Sequence, residues 1–346
     1  MGKVEFARKW DDKKKIWDMY PQLDKVGRSF SVVNYDTIIN GDGKINYIII
    51  NHGSRVEDHS KDYINVKNRE VRIDQVISHY EKCNGNYNVK LFLLDADAPL
   101  IEQSKLLASY IEFLASLPNT NSVNLIGLSK GSIVNFYVPS FMSNLESFSK
   151  VNIYNVAAPY TGTKLASPLV FYPEVEKLIS SKINNPKLAS LIYRKLIDIY
   201  EGVSSNSHMD YDIAISGGIP ESKQHLYDEG FIRDVFSDKN IDAIKKLQNF
   251  KNFVTGIDKN TLKEAISTMN LSGIGLCILD DLFFDNKSDG MIYVDSQRKI
   301  ESMMDISSYK LVSSHHDVCT NLRVMNDILW VVDDTILESD EKRKIK

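Results

Sequence analysis

Short apolar runs separated by helical stretches organise the first half of the chain. Short, mostly apolar runs predict four buried strands, at Ile45–Ile50, Val89–Leu94, Val123–Ile126 and Val151–Ala157. Alternation over Phe30–Tyr35 and the turn residues of Asn40–Gly43 predict a hairpin that leads into the first of them. A helical period over Leu106–Leu117 separates the second and third runs. This alternation of short buried strands and helices predicts an α/β fold with a mostly parallel central sheet flanked by helices.

The strand signals stop at about Leu169 and return towards the C-terminus. Helical patterns occupy the interval, at Glu174–Leu178, Leu188–Tyr200 and Ile241–Leu247. Further strands are predicted at Asn252–Ile257, Met291–Val294 and Tyr309–Val312, and a last helix at Val324–Ile336. We therefore expect a core made of residues 1–168 and 248–337, an inserted helical cap over 169–247, and a charged tail over 338–346.

The amino-acid composition limits the classes of function that the protein can have. The chain has 346 residues, of which 43% are hydrophobic and 25% charged, which is a globular balance for one large domain with an insertion or for two ordinary ones. A net charge of −4 leaves no basic footprint, so we expect no nucleic-acid partner. Cys83, Cys277 and Cys319 are odd in number and widely spaced, and they match neither a metal-binding pattern nor a disulfide framework. This cysteine usage indicates a reducing compartment and no metal.

The N-terminal stretch carries no targeting signal that we recognise. Residues 1–20 are rich in Lys, Asp and Trp and lack the apolar segment of a signal peptide. Met1-Gly2 would fit a myristoylation site, but Phe6 stands where Ser or Thr is needed. No apolar stretch is long enough to span a membrane. We therefore expect a cytoplasmic protein.

The strongest chemical signal is the sequence Gly127-Leu128-Ser129-Lys130-Gly131. It matches G-x-S-x-G at the point where a buried strand passes into a helix, and this context is what distinguishes a nucleophile from a chance match. A sharp turn there lifts the serine above the sheet, and the flanking glycines leave room for crowded backbone. The following helix directs backbone N–H groups at negative charge near the serine oxygen. We interpret Ser129 as a nucleophile.

A serine nucleophile requires a base, and the base requires an orienting acid. In strand-turn-helix serine enzymes the chain order is serine, acid, histidine. The last quarter of the chain contains the adjacent pair His315 and His316, on a loop after a predicted strand. We prefer His316 as the base because its spacing to the last helix is better, and we keep His315 as the alternative.

The acid must lie between the serine and this histidine pair. Asp289, in Ser288-Asp289-Gly290, follows a predicted strand and is our choice. The rival carboxylates are Asp281, Asp285 and Asp295. The same residues also fit a simple Asp-Gly turn.

An oxyanion hole needs two backbone N–H donors. One is expected from Lys130, the residue after the nucleophile, and the other from the loop after the first parallel strand. That loop reads Asn51-His52-Gly53-Ser54. Ser54 is the expected donor, with Gly53 and Arg55 as alternatives, and His52 is expected to bond the loop backbone.

Taken together, four segments resemble the α/β-hydrolase superfamily, in particular its lipase and esterase group, of triacylglycerol-lipase type. They are Asn51-His52-Gly53, Val123–Gly131, Ala157–Thr163 with Ala166-Ser167-Pro168, and Ser288-Asp289-Gly290 with the histidine pair. The third resembles the A-P-x-x-G-T segment that leads into the lid of lipases. The segments occur in the family's order and span most of the chain.

The resemblance implies an α/β-hydrolase fold and a Ser129–His316–Asp289 triad that hydrolyses esters through an acyl-enzyme, with no cofactor. The implied substrate is a small-molecule or lipid ester, since a cap that excludes water suits apolar substrates. Transient contact with a membrane or lipid interface and the oligomeric state stay open. The alternatives are a thioesterase or amidase of the same fold, or a non-catalytic binding protein. The charged Lys130 and the long stretch 258–286 depart from the family pattern.

Overall fold

The structure is a computed structural model of the 346-residue chain. The described residues form these continuous stretches: 5–11, 16–22, 31–40, 43–51, 75–93, 100–163, 235–258, 287–290, 292–315 and 322–344. Parts of 175–194, a few residues between 260 and 280, and Val318 are also described. Among these residues, no helix is both long enough and apolar enough to cross a membrane.

The elements are numbered in chain order. The strands are β1 (Glu5–Asp11), β2 (Ile16–Gln22), β3 (Ser31–Ile39), β4 (Ile45–Asn51), β5 (Asn86–Leu93), β6 (Thr120–Leu128), β7 (Val151–Val156), β8 (Asn249–Gly256) and β9 (Tyr309–Val312). The helices are α1 (Leu100–Ser116), α2 (Lys130–Phe141), α3 (Leu145–Phe148), α4 (Asp238–Ile244), α5 (Val294–Met304) and α6 (Leu322–Lys344). Residues 75–80 are also helical.

The central sheet is mostly parallel, which confirms the predicted fold class. Its strand order is β3-β5-β4-β6-β7-β8-β9, while β1 and β2 form a separate antiparallel pair. Strand β4 runs parallel to both β5 and β6, β6 to β7, and β8 to β9. Strands β4 and β7 are buried along almost their whole length, as expected for strands with neighbours on both sides and helices on both faces.

The predicted hairpin is wrong. Strand β3 does not pair with β4 but lies antiparallel to β5, with Ser31 opposite Leu93 and Ile39 opposite Asn86. The reason is burial: β4 is mostly apolar and buried along almost its whole length, so it is most stable with a parallel strand on each side. Strand β5 takes one of those positions, and β3 is left to pair at the edge of the sheet.

The predicted strand at Met291–Val294 is also wrong. In this segment Tyr293 makes only an isolated bridge to Ser288, and α5 begins at Val294. The backbone N–H of Ile292 donates to the Asp289 carboxylate (2.9 Å), which closes a tight turn in place of an extended strand.

The last helix is longer than predicted. It extends to Lys344, through most of the stretch expected as a charged tail. This stretch is rich in good helix formers. The helix therefore continues beyond the point where its apolar periodicity ends.

The chain divides into two compact units. The first unit comprises Met1–Val156, Phe236–Asn252 and Cys319–Lys346, and the second comprises Ala157–Val235 and Phe253–Val318. The core of the first unit is built from the buried strands and from α1 and α2, where Leu107, Tyr110 and Ile133 are fully buried. The cap over residues 169–247 stays a prediction, because most of that segment lies outside the described residues.

Candidate active site

Ser129 lies in the turn between β6 and α2, with a backbone conformation that is rare for a side-chain-bearing residue. Its φ is 55° and its ψ is −122°. Such a conformation costs about 1 to 3 kcal/mol and persists where the surroundings impose it. Here the Ser129 N–H donates to Val156 O at the end of β7 (2.9 Å), and Ser129 O accepts from the N–H of Ser132 (2.9 Å). The turn is therefore held from both sides.

Ser132 ties this turn to both neighbouring strands. Its Oγ is 2.7 Å from Gly127 O, to which it donates, and it accepts from the N–H of Val156 (3.0 Å). Ser132 is completely buried. Its position leaves no room at Gly127, where a Cβ would lie 2.6 Å from Ser132 Cα and 2.6 Å from Asn135 Nδ2. The first glycine of the motif is thus required by close packing of the helix onto the strand.

The N-terminus of α2 is fixed by a buried amide at the end of β4. Asn51 Nδ2 donates to Gly131 O (3.2 Å) and to Asn135 Oδ1 (2.9 Å). Lys130, the first residue of the helix, is also almost completely buried. The first N–H groups of a helix have no partner within the helix and carry partial positive charge. This end of α2 can therefore stabilise negative charge beside Ser129.

Gly127→Ala should destabilise the protein through overpacking. Because the new methyl group would meet backbone atoms of Ser132, which cannot rotate away, we expect a loss of about 1 to 3 kcal/mol in the free energy of unfolding. Gly43→Ala is the matched control, since a Cβ there meets nothing within 4 Å. Urea unfolding of both variants measures the difference. Equal stability of the two would contradict the close packing described here.

Asp289 lies in the second unit and is completely buried. One carboxylate oxygen, Oδ1, accepts from the N–H of Ile292 (2.9 Å). The other, Oδ2, accepts from Thr255 Oγ1 (2.6 Å), Gln297 Nε2 (3.3 Å) and His315 Nδ1 (2.8 Å). A buried carboxylate is costly unless it is hydrogen-bonded, and these donors supply that compensation.

The donors to Asp289 are themselves held in place. Gln297, on α5, accepts from the Thr255 N–H (2.8 Å) through Oε1 and donates to Thr255 O (3.1 Å) through Nε2. Thr255 lies near the end of β8. Ser288, just before the acid, is anchored through its N–H to Asp280 Oδ1 (2.9 Å). The position of Asp289 is therefore set by a strand, a helix and a buried turn.

His315 follows β9 and makes two contacts with Asp289. Its Nδ1 lies 2.8 Å from Asp289 Oδ2, and its backbone N–H donates to Asp289 O (2.8 Å). Its side chain is 12% exposed, against 0% for Asp289. A carboxylate on Nδ1 favours the tautomer with the proton on that nitrogen, which makes Nε2 the ring atom able to accept a proton. The pair has the chemistry of a base with its orienting acid.

The predicted site residues fall into three groups. Asp289 and His315 are brought into contact within the second unit. Ser129 and Lys130 lie at the strand-to-helix turn of the first unit. The remaining predicted residues lie outside the described part of the chain, namely Gly53, Ser54, His316 and the alternative donor Arg55.

The rival acids differ in their surroundings. Asp295 is exposed in the first turn of α5. Asp281 and Asp285 lie outside the described residues. Of the candidates that the structure describes, Asp289 is the one hydrogen-bonded to a histidine.

The sequence analysis missed the residues that support these groups. Thr255 and Gln297 hold the acid, and Ser132, Asn135 and Asn51 hold the serine turn. The one available signal was a polar residue at or next to the last position of a buried strand, which Thr255 and Asn51 both satisfy. Gln297 and Asn135 lie on helices, where nothing in their sequence neighbourhood marks them.

Comparison with known proteins gives structural similarity alone. No profile of a known protein family matches the chain, and no curated protein does. The chain is similar in structure to a mature lipase from Bacillus licheniformis, BlEst2, at 12% identity and a TM-score of 0.48, over 87% of this chain and 97% of that one. It is also similar to esterase B from Lactobacillus rhamnosis, at 11% identity and a TM-score of 0.44, over 99% and 91%.

A third similar structure is a lipase-esterase related protein from Clostridium acetobutylicum, at 15% identity and a TM-score of 0.39, over 86% of this chain and 98% of that one.

The strand order and the serine turn of the present structure identify its fold. One antiparallel strand lies at the edge of an otherwise mostly parallel sheet, and a serine at positive φ joins a central strand to a helix. By these features the chain has the α/β-hydrolase fold.

Proposed function

We propose that this protein is a serine hydrolase of carboxylic esters, with Ser129 as nucleophile, His315 as base and Asp289 as the orienting acid. The observation that carries the proposal is the strained turn at Ser129, because a non-glycine residue keeps a φ of 55° with a ψ of −122° only where the surrounding structure imposes it. The hydrogen bond between His315 and the buried Asp289 supports the roles of base and orienting acid that a serine nucleophile requires. His315, which was the alternative in the sequence analysis, is chosen over His316 for this contact.

The proposed reaction has two halves. Ser129 Oγ attacks the ester carbonyl carbon while His315 Nε2 takes its proton, and the resulting imidazolium gives that proton to the departing alcohol oxygen. Water then attacks the acyl-enzyme, His315 removes its proton, and the carboxylic acid is released as Ser129 recovers its hydrogen. Asp289 stays ionised throughout and stabilises the imidazolium through the bond to Nδ1.

The oxyanion formed in each half needs donors. We assign one to the Lys130 N–H at the first position of α2, where the helix end already favours negative charge. The second is assigned to the loop after β4, at Ser54 with Gly53 as its neighbour, on the basis of the sequence pattern. Removing one such donor typically costs about 100- to 1,000-fold in kcat.

The proposed substrate is a lipid or another apolar ester. Helical residues of the second unit support this choice, since Leu188 and Leu191 are both exposed and lie three positions apart on one helical face. Apolar side chains presented in this way suit contact with an acyl chain or with a lipid interface. The predicted cap around them would exclude water from the acyl-enzyme.

Covalent labelling tests the proposal directly. Purified protein should react with a fluorophosphonate probe, and peptide mapping should place the adduct on Ser129, because the probe captures serines activated by a base. The same sample should release p-nitrophenol from butyrate and laurate esters, with laurate preferred. Absence of both labelling and turnover would favour a binding protein of this fold. Faster cleavage of an acyl thioester than of its oxygen ester would make the enzyme a thioesterase.

A further inference from the structure

Three side chains of the types that bind metal ions lie close together in the first unit, and none of them is proposed for catalysis. His79 lies on the helical residues 75–80, Cys83 comes four positions later, and Asp333 lies on α6 near the other end of the chain. Their donor atoms all lie within 4.8 Å of one another. His79 Nε2 is 2.6 Å from Asp333 Oδ2, and Cys83 Sγ is 4.0 Å from the same oxygen.

The loop that carries Cys83 is held firmly in this position. The Cys83 N–H donates to Tyr80 O (3.1 Å), so the chain turns back after the helix and brings Sγ within 3.4 Å of His79 O. The Asn40 side-chain amide donates to two carbonyls of this loop, those of Glu81 (3.1 Å) and Cys83 (3.3 Å). These hydrogen bonds therefore fix the position of the Cys83 thiol.

The imidazole of His79 is held by aromatic packing. The Tyr80 ring lies edge-to-face with it at 5.1 Å, and Tyr80 is completely buried against Tyr87, with ring centroids 4.4 Å apart. The side chains of His79 and Asp333 are still 17% and 16% exposed, which gives an ion a path from solvent. A binding site with fixed walls and an open approach is what reversible metal uptake requires.

One polar atom in the cluster remains unexplained by the protein itself. The second carboxylate oxygen, Asp333 Oδ1, is buried and has no hydrogen-bond partner among the described residues. Such an atom is costly in a native structure and indicates a missing partner. A simple ion pair accounts for His79 Nε2 and Asp333 Oδ2 but leaves Oδ1 without a donor, which a water molecule bound to a metal ion at Oδ2 would supply.

We propose that His79, Cys83 and Asp333 bind a divalent transition-metal ion of the zinc type, with water as the fourth ligand. Imidazole nitrogen, thiolate sulfur and carboxylate oxygen are the ligands that Zn²⁺ takes in proteins. A thiolate ligand selects against Mg²⁺ and Ca²⁺. Tetrahedral bonds of about 2.0 to 2.3 Å separate the donor atoms by roughly 3.3 to 3.7 Å. Two of the three donor separations, 2.6 and 4.0 Å, lie on either side of that range, and the third is no more than 4.8 Å, so the side chains must rotate to take tetrahedral positions.

The site would link two segments that are distant in sequence. Residues 79 and 83 follow β4 in the chain, whereas Asp333 belongs to the last helix. An ion bound by all three stabilises the folded state, because the unfolded chain does not hold these donors together. We therefore expect the bound ion to stabilise the folded protein, independently of ester hydrolysis.

Cobalt substitution tests this site with a direct signature. Chelator-treated protein is titrated with Co²⁺ and then with Zn²⁺, and the visible and near-ultraviolet spectra are recorded. We expect one Co²⁺ per chain, a sulfur-to-cobalt charge-transfer band, visible bands of tetrahedral intensity, and their loss when Zn²⁺ displaces cobalt. Zinc should also raise the Tm in proportion to the logarithm of its concentration.

Matched variants identify the ligands. Cys83→Ser should abolish the sulfur band, and Asp333→Asn should weaken cobalt binding by about tenfold or more, since each removes one of three protein ligands. Cys277→Ser and Asp334→Asn are the controls, because Cys277 lies in the second unit and Asp334 is the exposed neighbour on α6. Circular dichroism confirms that each variant is folded. No stoichiometric uptake by the wild type, or a sulfur band that survives Cys83→Ser, would overturn the proposal.

Discussion

Ser129→Ala should reduce kcat for ester hydrolysis by about a million-fold, which is the loss seen when a triad serine is removed from a serine hydrolase. The substitution removes only Oγ and keeps Cβ, so the strain of the backbone at φ 55° is unchanged. We therefore expect the Tm to stay close to that of the wild type while activity disappears. Initial rates with p-nitrophenyl butyrate and a thermal melt of the same sample measure both quantities.

Ser149→Ala is the matched control for this experiment. Ser149 is exposed at the end of α3 and has no part in the proposed chemistry, so its variant should keep full activity. If Ser129→Ala retains most of the wild-type kcat, the nucleophile lies elsewhere and the proposed function is wrong. If Ser129→Ala loses activity together with a large fall in Tm, the loss is one of folding.

His315→Gln should be nearly as damaging as loss of the serine, again by about a million-fold in kcat, because without a base the serine hydroxyl is a poor nucleophile. His316→Gln is the natural comparison, since it changes the adjacent residue in the same way. We expect this second variant to keep a kcat within about tenfold of the wild type, because the bond to Asp289 is made by His315. Single-turnover kinetics with a labelled ester separate acylation from later steps.

The opposite pattern would be equally clear. A dead His316→Gln with an active His315→Gln would return the base to the position that the sequence analysis preferred. The Asp289–His315 contact would then be a structural hydrogen bond that holds the loop after β9. Equal and small losses in both variants would contradict a histidine base at this place in the chain.

The sequence hardly distinguishes His315 from His316 as the base. Both residues follow the same strand, so chain order and spacing treat them almost alike. The His315 ring meets Asp289 where the backbone after β9 is held by the His315 N–H donating to Asp289 O and by the Ser313 N–H donating to Gly256 O. These bonds join segments that are distant in sequence and leave no local pattern.

The strand pairing gives a second example. Turn residues at Asn40–Gly43 predicted that β3 and β4 form a hairpin, yet β5 lies between them in the sheet. Local turn chemistry permitted the hairpin, whereas burial of β4 on both sides required another neighbour. Burial of β4 therefore outweighed the local preference of the turn for a hairpin.

The cluster of His79, Cys83 and Asp333 gives a third example. Counting cysteines and their spacings indicated no metal site, because Cys83 has no cysteine partner nearby and Asp333 is 250 positions away. Only the packing of α6 against the helical residues 75–80 brings the carboxylate to the imidazole and the thiol. A site of this kind has no motif, because its ligands are collected by tertiary contacts.

The amino-acid sequence by itself determined the features that depend on local order: a mostly parallel sheet from buried apolar runs, the serine turn from its glycines, and the aspartate candidate from its position along the chain. These are encoded over a few neighbouring residues, where sterics and periodicity act directly. The tertiary structure alone decided the partner of β3, the histidine that bonds Asp289, the roles of Thr255 and Gln297, and the meeting of His79 with Asp333. Such contacts depend on where distant segments pack, and the free energy that selects them is spread over the whole core.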